Sequence, residues 1–154
     1  MSSHVLSKDI ALLILRLTGL LLALGHGWGK VVSLSSGGGD RLVQSVAELG
    51  FPLPGLFAWA AALAEFLGGL CVALGLGTRV AAGFAAFTMA VAAFGRHRAH
   101  AQLLAWAGLT SPSDEARKAW GNPELALVYL AIFVAIALLG AGRLALDPLL
   151  GRKR

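Results

Sequence analysis

The sequence predicts an all-α, polytopic membrane protein: a bundle of four transmembrane helices with short interfacial helices in its two long loops. Three observations carry this. Of the 154 residues, 57% are hydrophobic and 20 more are glycine. Only 14% are charged, where soluble domains devote about a quarter. The apolar residues also fall into four segments of roughly the 20-residue length that crosses a bilayer, at about 10–34, 53–76, 79–100 and 123–141 of a single domain over 1–154. One soluble core could not hide so much apolar surface, which excludes a water-soluble enzyme domain.

The first segment follows Lys8 as a signal peptide would, but it outruns the usual apolar region of a leader and contains Arg16, so it reads as an uncleaved first span. After it, Gly37-Gly38-Gly39 is flexible. Asp40 then reads as the cap of a short helix with Leu42, Val43, Val46 and Leu49 on one face, stopped at Gly50; that spacing suits a helix lying at the membrane surface. Pro52 and Pro54 start the second span. The turn Gly75-Leu76-Gly77-Thr78-Arg79 is so short that spans two and three must be antiparallel neighbours. In the second long loop, Ser111-Pro112-Ser113-Asp114-Glu115 opens another short helix, and Asn122-Pro123-Glu124 reads as N-cap, N1 and N2 of the fourth span.

Thirteen Lys and Arg against eight Asp and Glu leave a net charge of +5. The basic residues sit at segment ends and are not interleaved with aromatics, a membrane pattern and not a nucleic-acid one. Lys8, Arg79, Arg143, Arg152, Lys153 and Arg154 on the side of the termini balance Lys30, Arg41, Arg96, Arg98, Arg117 and Lys118 on the loop side, so charge alone does not orient the chain. Trp28, Trp59, Trp106 and Trp120 all fall toward the loop side, as an interfacial belt. Cys71 is the one cysteine, so no intrachain disulfide, dithiol pair or zinc cluster forms.

The ionisable residues inside the spans carry the signal, because each costs about 2.5–3.5 kcal/mol to insert without a partner, a cavity or an interfacial position. On a helical wheel Arg16, His26 and Lys30 share one stripe with Gly19, Ala23 and Gly27. Glu65 shares its face with Ala58, Ala61, Ala62, Gly68 and Gly69. Arg79, Ala82, Gly83, Ala86, Ala90, Ala93, His97 and His100 fall on one face of span three. Small residues mark where helices approach closely, so a polar bundle interior is expected, with Glu65 near mid-membrane. Glu65 either stays ionised beside Arg16, His26 or Lys30, or is neutralised by desolvation. It is then either a structural pair that sets helix register or a proton-handling, ligand-binding carboxylate. His26 and His97 lie at similar depth on different helices. They are candidates for a proton or ligand contact, whereas haem ligation is disfavoured and no metal site is expected.

At these residues the sequence resembles the DoxX family of small bacterial four-helix membrane proteins. The matching pieces are Arg16-Leu17 with His26-Gly27-x-x-Lys30, Phe51-Pro52-x-Pro54, Ala62-Leu63-Ala64-Glu65-Phe66-Leu67-Gly68-Gly69, Gly75-Leu76-Gly77-Thr78-Arg79, His97, Glu124-x-Ala126-Leu127 and Gly140-x-Gly142-Arg143-x-x-x-Asp147, over roughly 10–148. The resemblance implies association with membrane redox systems, including thiosulfate–quinone oxidoreductase subunits, in the bacterial cytoplasmic membrane with cytoplasmic termini. The loop around Ala101–Trp120 is longer than in typical members and adds surface for a partner.

Two functional readings follow. In the first, a quinone-type site lies between spans one, two and three: Glu65 handles the proton, His26 or His97 hydrogen-bonds a quinone carbonyl, and Lys30 keeps the opening electropositive. In the second, the chain is a non-catalytic scaffold that docks a partner, another copy or a redox protein, on its loop side. The chain has no flavin, nicotinamide, iron–sulfur or thiol motif, so oxidoreductase chemistry needs a supplied cofactor or a partner.

Overall fold

A computed structural model describes residues 3–151; the basic run at 152–154 lies outside the described residues. The first span consists of α1 (Ser3–Leu22), a π-helical stretch (Ala23–Gly27) and α2 (Trp28–Ser35). The surface helix α3 (Asp40–Glu48) leads into the second span, α4 (Pro54–Leu74). The third span is α5 (Thr78–Ala90) continued by a second π-helical stretch (Val91–Arg96). On the loop side follow α6 (Ala99–Trp106) and α7 (Asp114–Trp120); α8 (Glu124–Leu139) returns across the bundle, and a short α9 (Leu146–Leu149) closes the described chain. The described residues contain no strand.

Three helices, Val5–Ser35, Pro54–Leu74 and Thr78–Arg96, are long and apolar enough to cross a membrane. A fourth span arises when α7 and α8 are taken together across their 44° bend. Leu21, Leu24, Leu67, Phe84, Phe87 and Leu138 are exposed on these helices, which places them against acyl chains in a bilayer. The interior is alanine-rich: Ala23, Ala58, Ala62, Ala82, Ala85 and Ala93 are buried, with Phe133 and Ile136 filling the larger gaps.

The boundaries differ from the sequence expectation in several places. The first helix starts at Ser3 and not near residue 10, because Asp9, polar and apparently outside the span, is buried against the other end of the chain. Span three ends at Arg96: Arg98 adopts a left-handed conformation (φ 50°), turns the chain, and puts His100 on the separate helix α6. The buried face of α5 runs through Ala82, Ala85, Ala86 and Met89, while Gly83 faces outward with open space around it. Asp40 is the first residue of α3, not its cap; Gly39 holds the cap position. Pro123, not Asn122, holds the cap position of α8, which begins at Glu124, one residue later than expected; Asn122 Oδ1 still accepts from the Glu124 N–H at 2.8 Å.

Two devices hold the bundle. The first is contact between glycine backbones of spans one and two. A methyl added at Gly27 would lie 2.5 Å from the Phe66 nitrogen, and one at Gly69 would lie 2.5 Å from the Gly19 carbonyl oxygen. Main chain meets main chain here, and only hydrogen fits.

The second device is a polar lock on the terminal side. Asp147 caps the start of α5 from 70 residues away. Its carboxylate accepts from the Gly77 N–H (2.6 Å), the Thr78 N–H (2.9 Å) and the Thr78 hydroxyl (2.7 Å). This satisfies orphan donors and places negative charge at a helix N-terminus. Asp9 accepts from the Arg143 N–H at 2.9 Å. Arg16, 2% exposed, donates to the carbonyls of Ala141 (2.7 Å) and Leu144 (2.6 Å).

Gly27→Ala and Gly69→Ala are each expected to cost about 1–3 kcal/mol by overpacking and to lower the thermal midpoint in detergent. Gly25→Ala is the control: its added methyl meets nothing within 4 Å, so the midpoint should be unmoved or raised. Asp147→Ala, which strands the Gly77 and Thr78 donors, is expected to cost about 1–3 kcal/mol and to expose the segment after α8 to limited proteolysis.

Candidate functional site

The close approach at Gly27 sets Glu65 beside the first span, because the backbone facing Gly27 is that of Glu65 and Phe66. One helical turn onward stands Lys30, whose Nζ donates to Glu65 Oε1 at 2.5 Å. The carboxylate side chain is 3% exposed and the lysine 33%, so the pair joins a deeply buried anion to a cation that keeps some access to the outside. The other oxygen, Glu65 Oε2, is buried and has no hydrogen-bond partner among the described residues. Leaving a buried acceptor unmade costs about 1–3 kcal/mol, and the register function of an ion pair does not require it.

Glu65 and Lys30 open onto a cavity of about 200 Å³ whose polar lining also includes His26, His97, Asn122 and Tyr129, among Leu22, Met89, Ala92, Leu125 and Ala126. All four spans contribute. His26 is exposed at the rim and meets Tyr129 edge-on, ring centroids 6.3 Å apart at 82°. Tyr129 stacks on Phe133 below it. The His97 Nδ1 lies 2.7 Å from the Trp120 carbonyl oxygen; a carbonyl only accepts, so Nδ1 carries the proton, and in the neutral ring Nε2 is an acceptor. Gln102 fastens this corner, its amide donating to the carbonyls of His97 and Gly121, each at 2.8 Å. Arg96 reaches the Ala119 carbonyl.

Both π-helical stretches border this cavity: His26 lies in the first, Ala92 in the second, and His97 directly follows it. A π turn has poorer hydrogen-bond geometry than the α turn it replaces and tends to occur where side chains are re-aimed for function. Two of them flank one polar cavity, which makes it the candidate site. The volume lies below the roughly 300–1,000 Å³ of drug-sized ligand pockets; it suits a single ring and is too small for a porphyrin. Among the described residues no group of three or more His, Cys, Asp or Glu is arranged to hold a metal ion.

The structure thus brings together Glu65, Lys30, His26 and His97, four of the five residues singled out from sequence. Arg16 is not with them. It shares their stripe, but Gly19 packs against Gly69 and Ala73, so Arg16 is level with the far end of α4, about 20 Å along the axis from Lys30. There it closes the terminal lock. Sequence reasoning missed Tyr129 and Asn122. The chain's single tyrosine, inside an otherwise apolar fourth span, was the available signal.

A larger groove of about 1310 Å³ lies elsewhere, along outward residues of α4 and α5 such as Leu63, Leu67 and Phe84 and down to Lys8 and Arg79. The Asp9 and Asp147 carboxylates along it are bound in the terminal lock. Its walls offer acyl chains a surface.

Lys30→Met is expected to cost about 3 kcal/mol, the low end for breaking a buried pair, because the lysine keeps some solvent. Adding Glu65→Gln should recover most of that loss. Thermal unfolding of the two single variants and the double variant checks this; additive losses would show that the pair is not coupled.

Comparison with known proteins is consistent with this architecture. No curated protein and no solved structure matches the chain. The DoxX family model matches residues 11–98, more than half the chain, and contains Arg16, His26, Lys30, Glu65 and His97, while α6 to α9 lie beyond the match. The chain is a multi-pass membrane protein and belongs to the DoxX family.

Proposed function

We propose that this protein is an integral membrane subunit of a redox system, and that its loop-side cavity receives the head group of a quinone-type, lipid-like ligand. The observation that carries this is the buried Glu65–Lys30 pair, with one carboxylate oxygen unmatched, opening onto a ring-sized cavity between two π-helical stretches. An apolar slot with a few convergent polar groups is what such a ligand needs. Leu22, Met89, Leu125 and Ala126 supply the slot, and Lys30, Glu65, His26, His97 and Tyr129 converge on it. The family resemblance to subunits of quinone-linked systems supports the same reading.

In this role Lys30 supplies a positive donor at the opening, and Glu65 takes or returns the proton that accompanies electron transfer. The electrons pass to or from a redox centre of a partner subunit. The corresponding location is the bacterial cytoplasmic membrane, with the terminal lock at the cytoplasmic face and the cavity toward the other.

Protein purified gently from native membranes is expected to carry quinone in its extracted lipids, detected by chromatography. Glu65→Gln is expected to lower the recovered quinone at least several-fold, with the bundle still folded. Wild-type protein that copurifies with no more quinone than an unrelated four-helix membrane protein overturns the proposal.

A second reading, a partner-docking scaffold, is favoured by one observation: Leu103, Leu104, Trp106 and Leu109 are all exposed on and just after α6, outside the spans. Leu104→Glu with Leu109→Glu should then abolish copurification of a redox partner while leaving bound quinone unchanged.

A further inference from the structure

The larger groove beside the terminal lock is ionic at one end and apolar along the rest. Its apolar length follows α4 from Cys71 back to Ala60, about 16 Å of helix. That is the depth of one leaflet, half of a hydrocarbon core about 30 Å thick. Ala64 and Gly68, small and half-buried, let the groove sink toward α5, where a methyl added at Gly68 would stand 3.6 Å from the Ala81 carbonyl oxygen. Leu63, Leu67 and Phe84 are exposed along it.

The ionic end is lined by Lys8, Asp9, Arg79, Arg143 and Asp147. Both carboxylates are already matched. Asp9 accepts from the Arg143 N–H and lies 3.7 Å from the Arg143 Nε. Asp147 accepts its three bonds at the start of α5, with the charge of the buried Arg16 behind it. Arg143 and Arg16 thus offset the two acids. Lys8 and Arg79, both exposed, add positive charge, and among the described residues no carboxylate pairs with either. Arg79 donates one bond, from Nη1 to the Ala137 carbonyl at 3.3 Å, and a guanidinium has four further N–H donors.

The two cations flank one short stretch of chain. A methyl at Gly140 would lie 3.3 Å from Arg79 Nε, and one at Gly142 would lie 3.3 Å from Asp9 Oδ1, the neighbour of Lys8. A second copy in the same orientation would bring to this level, among the described residues, only the same two matched acids. A phospholipid brings a phosphate at this level and an acyl chain below it, and basic pockets between membrane helices bind such head groups. We propose that the groove is a site for an anionic glycerophospholipid of the leaflet on the terminal side. Its phosphate is held between Lys8 and Arg79, and an acyl chain lies along α4 against Leu63, Leu67 and Phe84. A zwitterionic lipid with the same chains carries an ammonium that these cations repel, so the site selects by head-group charge. It is separate from the loop-side cavity and stands whatever fills that.

The test is native mass spectrometry of the full chain, released from detergent after titration with palmitoyl-oleoyl-phosphatidylglycerol or with the phosphatidylcholine of the same chains. The anionic lipid is expected to bind about fivefold or more tightly than the zwitterionic one. Lys8→Gln with Arg79→Gln should narrow that ratio to about twofold or less. Arg117→Gln with Lys118→Gln, the same charge change on the loop side, should leave it unmoved. Ala64→Phe, which fills the groove partway along, should weaken both lipids together. The wild-type comparison stands whether or not a variant folds. Equal binding of the two lipids overturns the proposal, as does a preference that survives loss of Lys8 and Arg79 or moves as far with the loop-side pair. Glycerol phosphate that displaces the lipid at equal concentration would reduce the groove to a phosphate site and overturn it too. A wild-type dimer that Ala64→Phe turns into monomers would give the groove to a second copy, with the same result.

Discussion

Everything in this molecule depends on how closely the first two spans approach one another. Gly19 against Gly69, and Gly27 against the backbone of Glu65 and Phe66, bring main chain onto main chain. Within a bilayer the hydrophobic effect gives helices little reason to associate, so packing at close range and hydrogen bonds must do so. The glycines therefore determine stability and chemistry together. They fix which residue of one helix stands level with which residue of the other, and so decide that Lys30, and not Arg16, neutralises Glu65.

The two ends of the bundle then use buried charge in opposite ways. On the terminal side Asp147 is met by three donors and Arg16 by two carbonyls. These groups act as capping devices that happen to be ionised, and they close gaps left by helix ends. Each end keeps one buried side-chain atom without a hydrogen-bond partner among the described residues, Arg16 Nε and Glu65 Oε2, but only the Lys30–Glu65 pair on the loop side lines the smaller polar cavity. A buried pair is weak evidence of stabilisation in itself, and this one stands beside open space. The same element of composition, a charge in a greasy span, joins helix ends on one side and lines a polar cavity on the other.

How much of this could be read from the sequence follows from the same distinction. Glu65, Lys30, His26 and His97 stood out because ionisable residues on small-residue faces have few other places to go. Arg16 stood out on the same grounds and was grouped with them, because a stripe on a wheel reports direction and not depth. Depth is decided by register between helices, a property of which glycine meets which. The π-helical stretches carry no periodicity that differs from an ordinary helix, and α6 begins at a non-glycine residue in a left-handed turn, Arg98, without a recognisable cap. Tyr129 was overlooked because the fourth span reads as uniformly apolar. Asp9 was placed outside the first helix because its partner, Arg143, is 134 residues away.

The terminal lock also bears on the order of events during biosynthesis. Residues 141–147 supply the partners of Arg16, Gly77 and Thr78, and Arg143 supplies that of Asp9. A ribosome delivers these residues only after the first three spans have entered the membrane. Until then Arg16 sits in its span without the carbonyls that satisfy it, and the third helix begins without its cap. The half-made bundle is thus left polar and open at one end, and the stretch at 141–147 is what seals it.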